Sequence, residues 1–234
     1  MKFETSVKEI IPRTLDITSF RFPRPAELTY KAGQYFVCFI KSADGKQIVH
    51  HFSFSSSPTE KDYIEFTKKL TVSEYSAALK NLKVNAWSLI DAPYGSFTFG
   101  GEYPKICLLT GGIGITPFRS IVKYCTDMGI NSSIVLLYGC RSPDEIVFRE
   151  DFEQMAKQNI NLKLVFTVNQ PDSEWKSYIG NISLDIVKKE VPDYAERTFY
   201  ACGPPGMIAA MKNLIQQLQI PENRMKVELF TGYS

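Results

Sequence analysis

The hydrophobic and polar positions follow two different patterns on either side of residue 100. Up to that point, short runs rich in β-branched and aromatic residues alternate with turns that contain proline and glycine. This pattern is typical of antiparallel strands that close into a small barrel. One helix is predicted at 74–82, because apolar residues recur there with helical spacing. The predicted strands cover residues 6–11, 15–22, 35–40, 48–54, 63–68, 87–92 and 96–99.

After Gly100 and Gly101, buried apolar strands alternate with helical segments. Such alternation predicts a parallel sheet covered by helices on both faces, with ligands bound at the carboxyl ends of the strands. Strands are predicted at 106–109, 134–138, 162–168, 198–202 and 226–230, and helices at 118–128, 144–157, 184–189 and 205–218, with Ser183 capping the third. We therefore predict two domains, an antiparallel β-barrel over residues 1–101 and an α/β parallel-sheet domain over residues 102–234.

Composition and charge narrow the classes of partner. The 234 residues are 44% hydrophobic, enough for two cores, and 27 basic against 25 acidic side chains leave a net charge of +2. This balance provides no broad basic surface, so we expect no nucleic-acid partner. Because no stretch approaches the length of an uncharged membrane span and the first residues lack a signal-peptide pattern, we expect no transmembrane segment and a cytoplasmic location.

The five cysteines and two histidines do not form a metal-binding pattern. The cysteines lie far apart, without the close spacing of iron–sulfur or zinc ligands, and the histidines are adjacent. We therefore expect reduced thiols, no metal site, and no built-in iron–sulfur cluster that could carry single electrons away.

A glycine-rich turn at residues 111–117, Gly-Gly-Ile-Gly-Ile-Thr-Pro, joins a predicted strand to a predicted helix. Unpaired N–H groups and the positive end of the dipole attract anions to a helix start, and glycines let a phosphate approach the backbone closely. The turn suggests a nucleotide, although an ordinary strand-to-helix turn has the same pattern. The acidic residue that would hold a ribose about 20 positions later is absent, and Arg141 follows the next strand. A nucleotide here would differ in its binding mode from one at an ordinary Rossmann site.

Six short motifs follow one another along nearly the whole chain. They are Ala-Gly-Gln-Tyr at 32–35, His-His-Phe-Ser at 50–53, Pro-Tyr-Gly-Ser-Phe at 93–97, the glycine turn at 111–117, Cys-Gly-Pro-Pro-Gly-Met at 202–207 and Glu-Leu-Phe at 228–230. In this order they resemble the ferredoxin–NADP reductase superfamily. The His-x-Phe-Ser motif is similar to that of the ferric reductase and NADPH oxidase branch, whereas most soluble relatives carry Arg-x-Tyr-Ser.

The resemblance implies a flavin in the barrel domain. His50 would face the flavin pyrophosphate, Phe52 would lie beside the isoalloxazine ring, and Ser53 would hydrogen-bond near N5. A second phosphate contact would come from Tyr75 and Ser76 at the start of the short helix. Histidine lacks the charged fork of arginine, so the pyrophosphate would be bound more weakly and with more dependence on pH.

Structural roles remain open for these positions. The alternating aromatic residues of the strand could simply fill the barrel, with Ser53 in solvent. The start of the short helix could be an ordinary first turn, and Lys68 and Lys69 could be solvated strand charges.

The resemblance also implies a nicotinamide dinucleotide on the sheet domain. Its pyrophosphate would lie at the glycine turn, with Thr116 capping the helix and Pro117 at the first helical position. Arg141 would reach a phosphate or ribose, although an ordinary surface role is equally open. Further backbone contacts would come from Gly111, Gly112, Gly114, Gly203 and Pro204.

Further residues are implied near the reacting atoms. Cys202 would bring its thiol close to nicotinamide C4, although a cysteine that ends a buried strand is often only core. Glu228 would be a further polar group, and with Ser53 these residues would align and tune the reactants rather than form covalent intermediates. Phe230 would cover the flavin until nicotinamide displaces it, but four residues follow it, so Tyr233 could be the covering ring instead.

Charge indicates which nicotinamide dinucleotide is favoured. The NADP-binding members usually place Ser-Arg after the third strand of this domain, where this chain has Asn169 and Gln170. Neutral amides suit a ribose diol better than a 2′-phosphate, so NADH is favoured over NADPH, although Lys176 or Arg141 could compensate. FAD is favoured over FMN, but the adenine contact has little pattern and leaves that choice open.

The leading hypothesis is a flavin-dependent oxidoreductase that transfers hydride from NAD(P)H to bound FAD and passes electrons to a separate acceptor, namely a protein partner, a free flavin or a ferric chelate. One alternative is an NAD(P)H:flavin reductase with flavin as a dissociable substrate, which the histidine at position 50 favours. A second alternative is a noncatalytic flavin or nucleotide sensor, because a fold can persist without its activity.

Overall fold

The computed structural model describes residues 1–230 as two compact units. The first unit comprises Met1–Gly100 together with Thr116–Tyr124, and the second comprises Gly101–Ile115 and the residues from Cys125 onward. A helical segment that is distant in sequence thus belongs to the first unit. A domain boundary between residues 101 and 102 stays a prediction.

Antiparallel strands and a short helix build most of the first unit. One sheet contains, in spatial order, β1 Lys2–Ser6, β7 Trp87–Tyr94, β4 Tyr35–Lys41 and β5 Gln47–Ser53. A second sheet contains β2 Glu9–Pro12, β3 Ile17–Pro23 and β6 Tyr63–Lys69. The helix α1 spans Glu74–Asn81 and begins at a serine cap, whose hydroxyl accepts a hydrogen bond from the Ser76 N–H.

Aromatic side chains fill the core of the first unit. Phe66 of β6 stacks on Phe52 with ring centroids 4.0 Å apart and on Phe20 at 5.1 Å. Phe36 and Phe54 are also fully buried, with centroids 4.6 Å apart. Each such ring contributes about 2–3 kcal/mol through burial. The other face of β6 is buried as well, so this strand lies under the predicted flavin motif with neither face in solvent.

The second unit contains a parallel sheet. Its strands in chain order are β8 Lys105–Gly111, β9 Ser133–Cys140, β10 Leu162–Val168, β11 Tyr178–Ile179, β12 Thr198–Gly203 and β13 Met225–Leu229, and the helices of this half of the chain are α2 Thr116–Asp127, α3 Arg149–Gln158, α4 Leu184–Glu190 and α5 Pro205–Gln217. The spatial order of the strands is β11-β10-β9-β8-β12-β13, so the winding reverses between β8 and β12. Ligands of parallel sheets bind at the carboxyl ends beside such a reversal. The antiparallel and parallel sheets occur in the predicted order.

The predicted strand at 6–11 is wrong, because this segment contains the end of β1 and the start of β2, which lie in different sheets. Between β1 and β2, the backbone N–H of Val7 donates to Ala86 and that of Lys8 donates to Arg21. The chain therefore passes from one sheet to the other at this point. The pattern of apolar and polar positions is continuous from β1 to β2, so the sequence alone does not reveal that the chain changes sheets here.

Two further predicted elements differ from the structure. Residues 96–99 form no strand, although Phe97 and Phe99 are buried and alternate like strand residues. The helix predicted from residue 144 begins only at Arg149, because Phe148 before it has a φ of 60° and is left-handed. The predicted cap of α4 is confirmed, since the Ser183 hydroxyl accepts from the Ile186 N–H.

Within residues 1–230, no helix combines the length and the apolar character needed to cross a membrane. The same residues contain no group of three or more His, Cys, Asp or Glu side chains that could hold a metal ion.

Candidate functional site

The predicted flavin motif lies at the end of β5, where aromatic side chains cluster. The rings of His50 and Phe52 are nearly parallel, with centroids 4.8 Å apart. Tyr75 of α1 lies 5.5 Å from both rings. On the side away from His50, Phe52 stacks on Phe66. The structure therefore brings together three of the residues predicted to contact a flavin.

Side-chain hydroxyls at the start of α1 are already hydrogen-bonded. The Tyr75 hydroxyl donates to the Cys38 carbonyl oxygen at 3.0 Å. The Ser76 hydroxyl lies 2.9 Å from that of Ser73 and 3.3 Å from that of Thr71. A flavin phosphate contact at Tyr75 and Ser76 stays a prediction, and a phosphate there would have to displace part of this network or use backbone N–H groups.

The imidazole of His50 is oriented by the backbone carbonyl of the next residue, His51. Nδ1 lies 2.8 Å from the carbonyl oxygen of His51, and because a carbonyl only accepts, Nδ1 carries the proton. Burial lowers the pKa of His50, with a further lowering from the positive charge of Lys68. The ring is therefore neutral at pH 7 and presents Nε2 as an acceptor.

A buried lysine lies beside this cluster. The Lys68 residue is 2% exposed, and burial lowers the pKa of its ammonium group to about 8. Its neighbour Lys69 points outward, where it pairs with Asp16 at 3.1 Å. The interpretation of Lys68 as a solvated strand charge is therefore wrong. Successive side chains of a strand point to opposite faces. Lys68 and Lys69 are consecutive in β6 and therefore have different surroundings.

Ser53 lies on the face of β5 opposite His50 and Phe52, paired in register with Tyr35 of β4. It is 6% exposed, and its hydroxyl makes no hydrogen bond to another residue in the described part of the chain. A hydroxyl without a protein partner can donate to a ligand atom. The role predicted for Ser53 near a flavin N5 stays a prediction.

The residues after Ser53 are held by polar side chains that the sequence reasoning missed. Arg119 donates to the Ser55 carbonyl oxygen at 2.9 Å, and Ser120 donates to that of Ser56 at 2.7 Å. Arg119 also forms a fork with Glu60, with N–O distances of 2.6 and 3.1 Å. All these residues belong to the first unit. The signal in the sequence was an Arg-Ser pair in the first turns of the helix that follows the glycine turn.

A buried carboxylate also holds the segment after Ser53. Glu65 is fully buried on the face of β6 opposite Phe66. One of its oxygens accepts from the Ser55 hydroxyl at 2.8 Å, and the other accepts from Arg21 at 2.8 Å and Arg13 at 3.1 Å. Paired and hydrogen-bonded in this way, the carboxylate meets the conditions under which a buried charge is tolerated.

In the second unit, the glycine turn continues β8 into a helical turn as expected. A 3₁₀ turn at Gly112–Ile115 leads directly into α2. Because of this turn, Thr116 is the first residue of α2 rather than its predicted cap, and Pro117 is the second. An ideal Cβ on Gly114 would lie 2.4 Å from the Cys202 carbonyl oxygen. No side chain fits there, so the glycine is required by close packing against β12.

A cleft of about 400 Å³ opens at the carboxyl ends of β8, β9 and β10 and the start of α5. Gly111 and Gly112 line it on one side, and Asn169, Asn181 and Met207 line it on others. The Asn169 side-chain amide donates to Asn181 at 3.2 Å. The glycine turn and the predicted ribose region therefore share one cleft.

Arg141 also lines this cleft, with a side chain that is 70% exposed and lies 3.3 Å from a Glu145 oxygen. Its reach to a bound phosphate or ribose stays a prediction. Gly203 ends β12 and Pro204 precedes α5, and the Gly203 carbonyl accepts the N–H of Phe230 at 3.0 Å. The roles predicted for Gly203, Pro204 and Phe230 stay predictions as well. Tyr233 lies outside the described residues.

Cys202 and Glu228 are adjacent in register on β12 and β13. The Cys202 residue is fully buried, and burial raises the pKa of its thiol, so it is no thiolate nucleophile. Burial also raises the pKa of Glu228 to about 7. Among residues 1–230, one buried oxygen of Glu228 has no hydrogen-bond partner. Such an oxygen is expected to face a ligand or a water molecule.

Comparison with known families assigns each half of the chain. Residues 2–99 match the family model described as "Oxidoreductase FAD-binding domain", and residues 108–213 match the one described as "Oxidoreductase NAD-binding domain". The chain is thus an FAD-binding domain followed by an NAD-binding domain of the oxidoreductase type. It belongs to the ferredoxin–NADP reductase superfamily.

Curated relatives are similar along most of this chain. The glycine betaine monooxygenase reductase subunit of Pseudomonas aeruginosa (strain UCBPP-PA14) is 29% identical over 95% of this chain, which spans only 62% of that protein. NADH-cytochrome b5 reductase 1 of Ajellomyces capsulatus (strain NAm1 / WU24) is 26% identical over 92% of this chain and 73% of its own length.

Solved structures of lower sequence identity share the fold. The FAD/NAD binding domain of nitric oxide dioxygenase from Vibrio cholerae has a TM-score of 0.86 at 23% identity, over 97% of this chain and 98% of that one. A ferredoxin NADP+ reductase from Neisseria gonorrhoeae with bound FAD and NADP has a TM-score of 0.82 at 18% identity, with the same coverage of both chains.

Proposed function

We propose that this chain transfers hydride from a nicotinamide dinucleotide to bound FAD and passes the electrons to a separate acceptor. The observation that carries the proposal is the combination of two sites in one chain. The FAD-binding domain has an aromatic cluster at its motif strand, and the NAD-binding domain has a cleft at its glycine turn. Names such as "reductase subunit" among the relatives support a separate acceptor, which is a protein partner, a free flavin or a ferric chelate.

The residues present fit these two groups. The hydroxyl of Ser53, a residue that is 6% exposed, is available to donate toward the flavin, and the Gly114 backbone is packed so that the turn keeps one shape. When bound, FAD supplies a ring nitrogen that accepts hydride. Ser53 would hold that ring by a hydrogen bond, and the Cys202–Glu228 pair would orient the nicotinamide. Their contribution to rate is positioning rather than covalent chemistry.

Anaerobic addition of NADH to the flavin-loaded protein tests this proposal. The flavin absorbance in the visible region should disappear within one turnover and return when an acceptor is supplied. An absorbance that persists with excess NADH would exclude hydride transfer and leave a binding protein without redox activity.

NADH is proposed as the preferred donor. Asn169 offers a neutral amide where a 2′-phosphate would need cationic donors. The name of an NADH-linked cytochrome b5 reductase among the relatives agrees with this choice. Parallel titrations with NADH and NADPH, together with mass spectrometry of the released flavin, would test both nucleotides and distinguish FAD from FMN.

An NAD(P)H:flavin reductase with flavin as a dissociable substrate is the second candidate. The neutral His50 ring favours it, because Nε2 as an acceptor adds nothing to phosphate binding. Gel filtration followed by an absorbance spectrum separates the two candidates. A yellow protein with stoichiometric flavin supports a bound cofactor, and a colourless one supports the dissociable substrate.

Replacing Ser53 with alanine is expected to slow flavin reduction by NADH about tenfold while flavin content stays close to wild type. One hydrogen bond contributes up to about 1.5 kcal/mol, and about 1.4 kcal/mol corresponds to a tenfold change in rate. Anaerobic stopped-flow measurement gives the reduction rate directly. Ser88→Ala is the matched control, since Ser88 is also buried with an unpartnered hydroxyl in the described chain but lies on β7. Equal rates in the wild type and Ser53→Ala would contradict the role of Ser53.

Flavin reduction is expected to accelerate as the pH rises through about 7, the pKa of Glu228. A nicotinamide ring becomes positive as it gives up hydride, so a nearby carboxylate stabilises the transition state and a neutral carboxyl does not. Glu228→Gln should remove this inflection and remain near the slow, low-pH rate at every pH. The measurement is the single-turnover rate between pH 5.5 and 8.5, about 1.5 units on each side of that pKa. A variant that keeps the inflection would assign it to another group.

A further inference from the structure

Three glycines lie side by side at the carboxyl ends of neighbouring strands in the second unit. Gly139 of β9 pairs in register with Gly111 of β8. Gly203 of β12 follows Cys202, which pairs with Thr110, so it is the next residue along from Gly111. Residues in register on parallel strands share a face of the sheet. Gly139, Gly111 and Gly203, here called the glycine row, therefore leave the backbone bare across two strand spacings, about 10 Å.

The side chain of Met207 lies on part of this row. Ideal Cβ atoms on Gly111 and Gly203 would lie 3.0 and 2.7 Å from the Met207 sulfur. Both distances are shorter than an ordinary van der Waals contact, so the sulfur occupies the space directly over these two glycines. A Cβ on Gly139 would instead meet the Thr167 hydroxyl oxygen first, at 3.2 Å. The methionine thus covers two of the three glycines.

An unused polar group lies at the uncovered end of the row. Thr167 of β10 pairs in register with Gly139, is fully buried and lines the 400 Å³ cleft. Among residues 1–230, its hydroxyl has no hydrogen-bond partner. Native structures rarely leave such a group unpaired unless a ligand or a water molecule meets it. The end of the row that Met207 leaves open is therefore the end with a polar group to offer.

The Met207 side chain is able to leave the row while its backbone stays in place. Met207 is partly exposed and belongs to the first turn of α5, Pro205–Gln217. A methionine side chain is unbranched, rotates about three bonds and adapts its packing readily. The cleft beside it also gives the side chain room to move.

We infer that the nicotinamide dinucleotide lies across the strand ends along the glycine row, where it contacts Gly139 and displaces the Met207 side chain from Gly111 and Gly203. This inference rests on the proposed function and adds Gly139 and Met207 to its site. Phosphate and ribose groups approach a backbone closely only where no Cβ intervenes. Because Met207 has to move first, only the fraction of molecules with an uncovered row binds, and the apparent affinity is reduced by that fraction.

The first test adds a methyl group to the uncovered glycine. The full chain is titrated by calorimetry with ADP-ribose, which has the pyrophosphate and both riboses but no nicotinamide ring. Gly139→Ala should weaken binding about tenfold, or about 1.4 kcal/mol, because the methyl group separates the ligand from the backbone. Gly206→Ala is the matched control in the same cleft, since a Cβ there would meet no atom within 4 Å. It should bind ADP-ribose like the wild type.

The second test removes the side chain that covers the row, and the expected effect has the opposite sign. Met207→Ala should bind ADP-ribose about tenfold more tightly, mainly through faster association in stopped-flow measurements, because the row is already open. A general loss of structure would weaken binding, so it cannot produce this gain. Met128→Ala is the control, since Met128 is 56% exposed and lies between α2 and β9, at the amino ends of the strands.

A double substitution separates the two reasons for a glycine at position 111. A Cβ on Gly111 would conflict with the Met207 sulfur, and the Met207→Ala background removes that conflict. Gly111→Ala should still weaken ADP-ribose binding in this background, because its methyl group lies where the ligand lies. Full recovery of binding in the double variant would show that the glycine serves only the packing of the methionine.

Three further outcomes would overturn the inference. Weaker binding by Met207→Ala, with faster dissociation, would make the methionine a contact of the bound ligand. Unchanged binding by that variant would show that its side chain does not obstruct the row, and unchanged binding by Gly139→Ala would place the ligand elsewhere. A wild type that binds neither ADP-ribose nor NADH would overturn the proposed function itself, whereas the other outcomes leave that function standing.

Discussion

Replacing Gly114 with alanine is expected to lower kcat/KM for NADH about 100-fold while the FAD content remains that of the wild type. The added Cβ would lie 2.4 Å from the Cys202 carbonyl oxygen and 2.8 Å from the Thr110 hydroxyl oxygen. Both atoms belong to buried strands whose contact is itself a hydrogen bond of 3.0 Å, so the turn must move instead. Misplacing a positioning element by about 1 Å costs roughly 100-fold in rate, and overpacking costs about 1–3 kcal/mol of stability.

A glycine with open space around it gives the control for this substitution. Gly206, near the start of α5, lines the cleft at the glycine turn, and a Cβ there would meet no atom within 4 Å. Gly206→Ala should therefore keep the protein folded and its KM for NADH close to wild type. Steady-state assays with ferricyanide as the acceptor, with thermal unfolding as a check on folding, measure both variants. If the two variants lost activity equally, close packing at Gly114 would not be the cause.

The glycine turn was predictable because its determinants are local. A buried strand, a run of glycines and a helix start follow one another within residues 106–118, and each has its own sequence signal. Gly114 was identified as a phosphate contact by resemblance. The structure adds a different reason for this glycine, since its neighbour in space is Cys202, which is 88 positions away in sequence. Such a contact exists only once β8 and β12 are paired.

Lys68 illustrates why the candidate site was only partly predictable. Alternation separates it from Lys69, but the interior face can be chosen only when one face of a strand is polar and exposed. Both faces of β6 are buried, the one that carries Phe66 and the one that carries Glu65. The pattern therefore had no exposed side to serve as a reference, and a lysine was the natural residue to assign to solvent.

Arg119 was missed for a related reason. A charged residue on a helix is usually solvated, so nothing local indicates that this side chain is 5% exposed. Its partners, Glu60 and the Ser55 carbonyl, lie about 60 residues earlier. Hydrogen bonds between residues so far apart in sequence depend on the fold, and no short sequence segment predicts them.

Replacing Glu65 with alanine is expected to cost about 3–5 kcal/mol of unfolding free energy in the first unit, the range for breaking a buried ion pair. In the wild type, the fully buried Glu65 carboxylate accepts hydrogen bonds from Arg13, Arg21 and the Ser55 hydroxyl. The substitution leaves these three donors without that acceptor. Since Ser55 lies two residues after Ser53, the flavin-binding strand should loosen as well, and FAD should be lost at a lower urea concentration than in the wild type.

The test of this prediction needs a probe of the first unit, because two units need not unfold together. The chain has two tryptophans, Trp87 on β7 and Trp175 in the second unit, so a Trp175→Phe background reports the first unit by fluorescence in urea. Glu9→Ala is the control: Glu9 also pairs with Arg21, at 2.9 Å, but is 49% exposed, and an exposed pair contributes only about 0–1 kcal/mol. The prediction would be contradicted if Glu65→Ala lost no more unfolding free energy than Glu9→Ala. The buried position of Glu65 would then add nothing to the stability of the first unit.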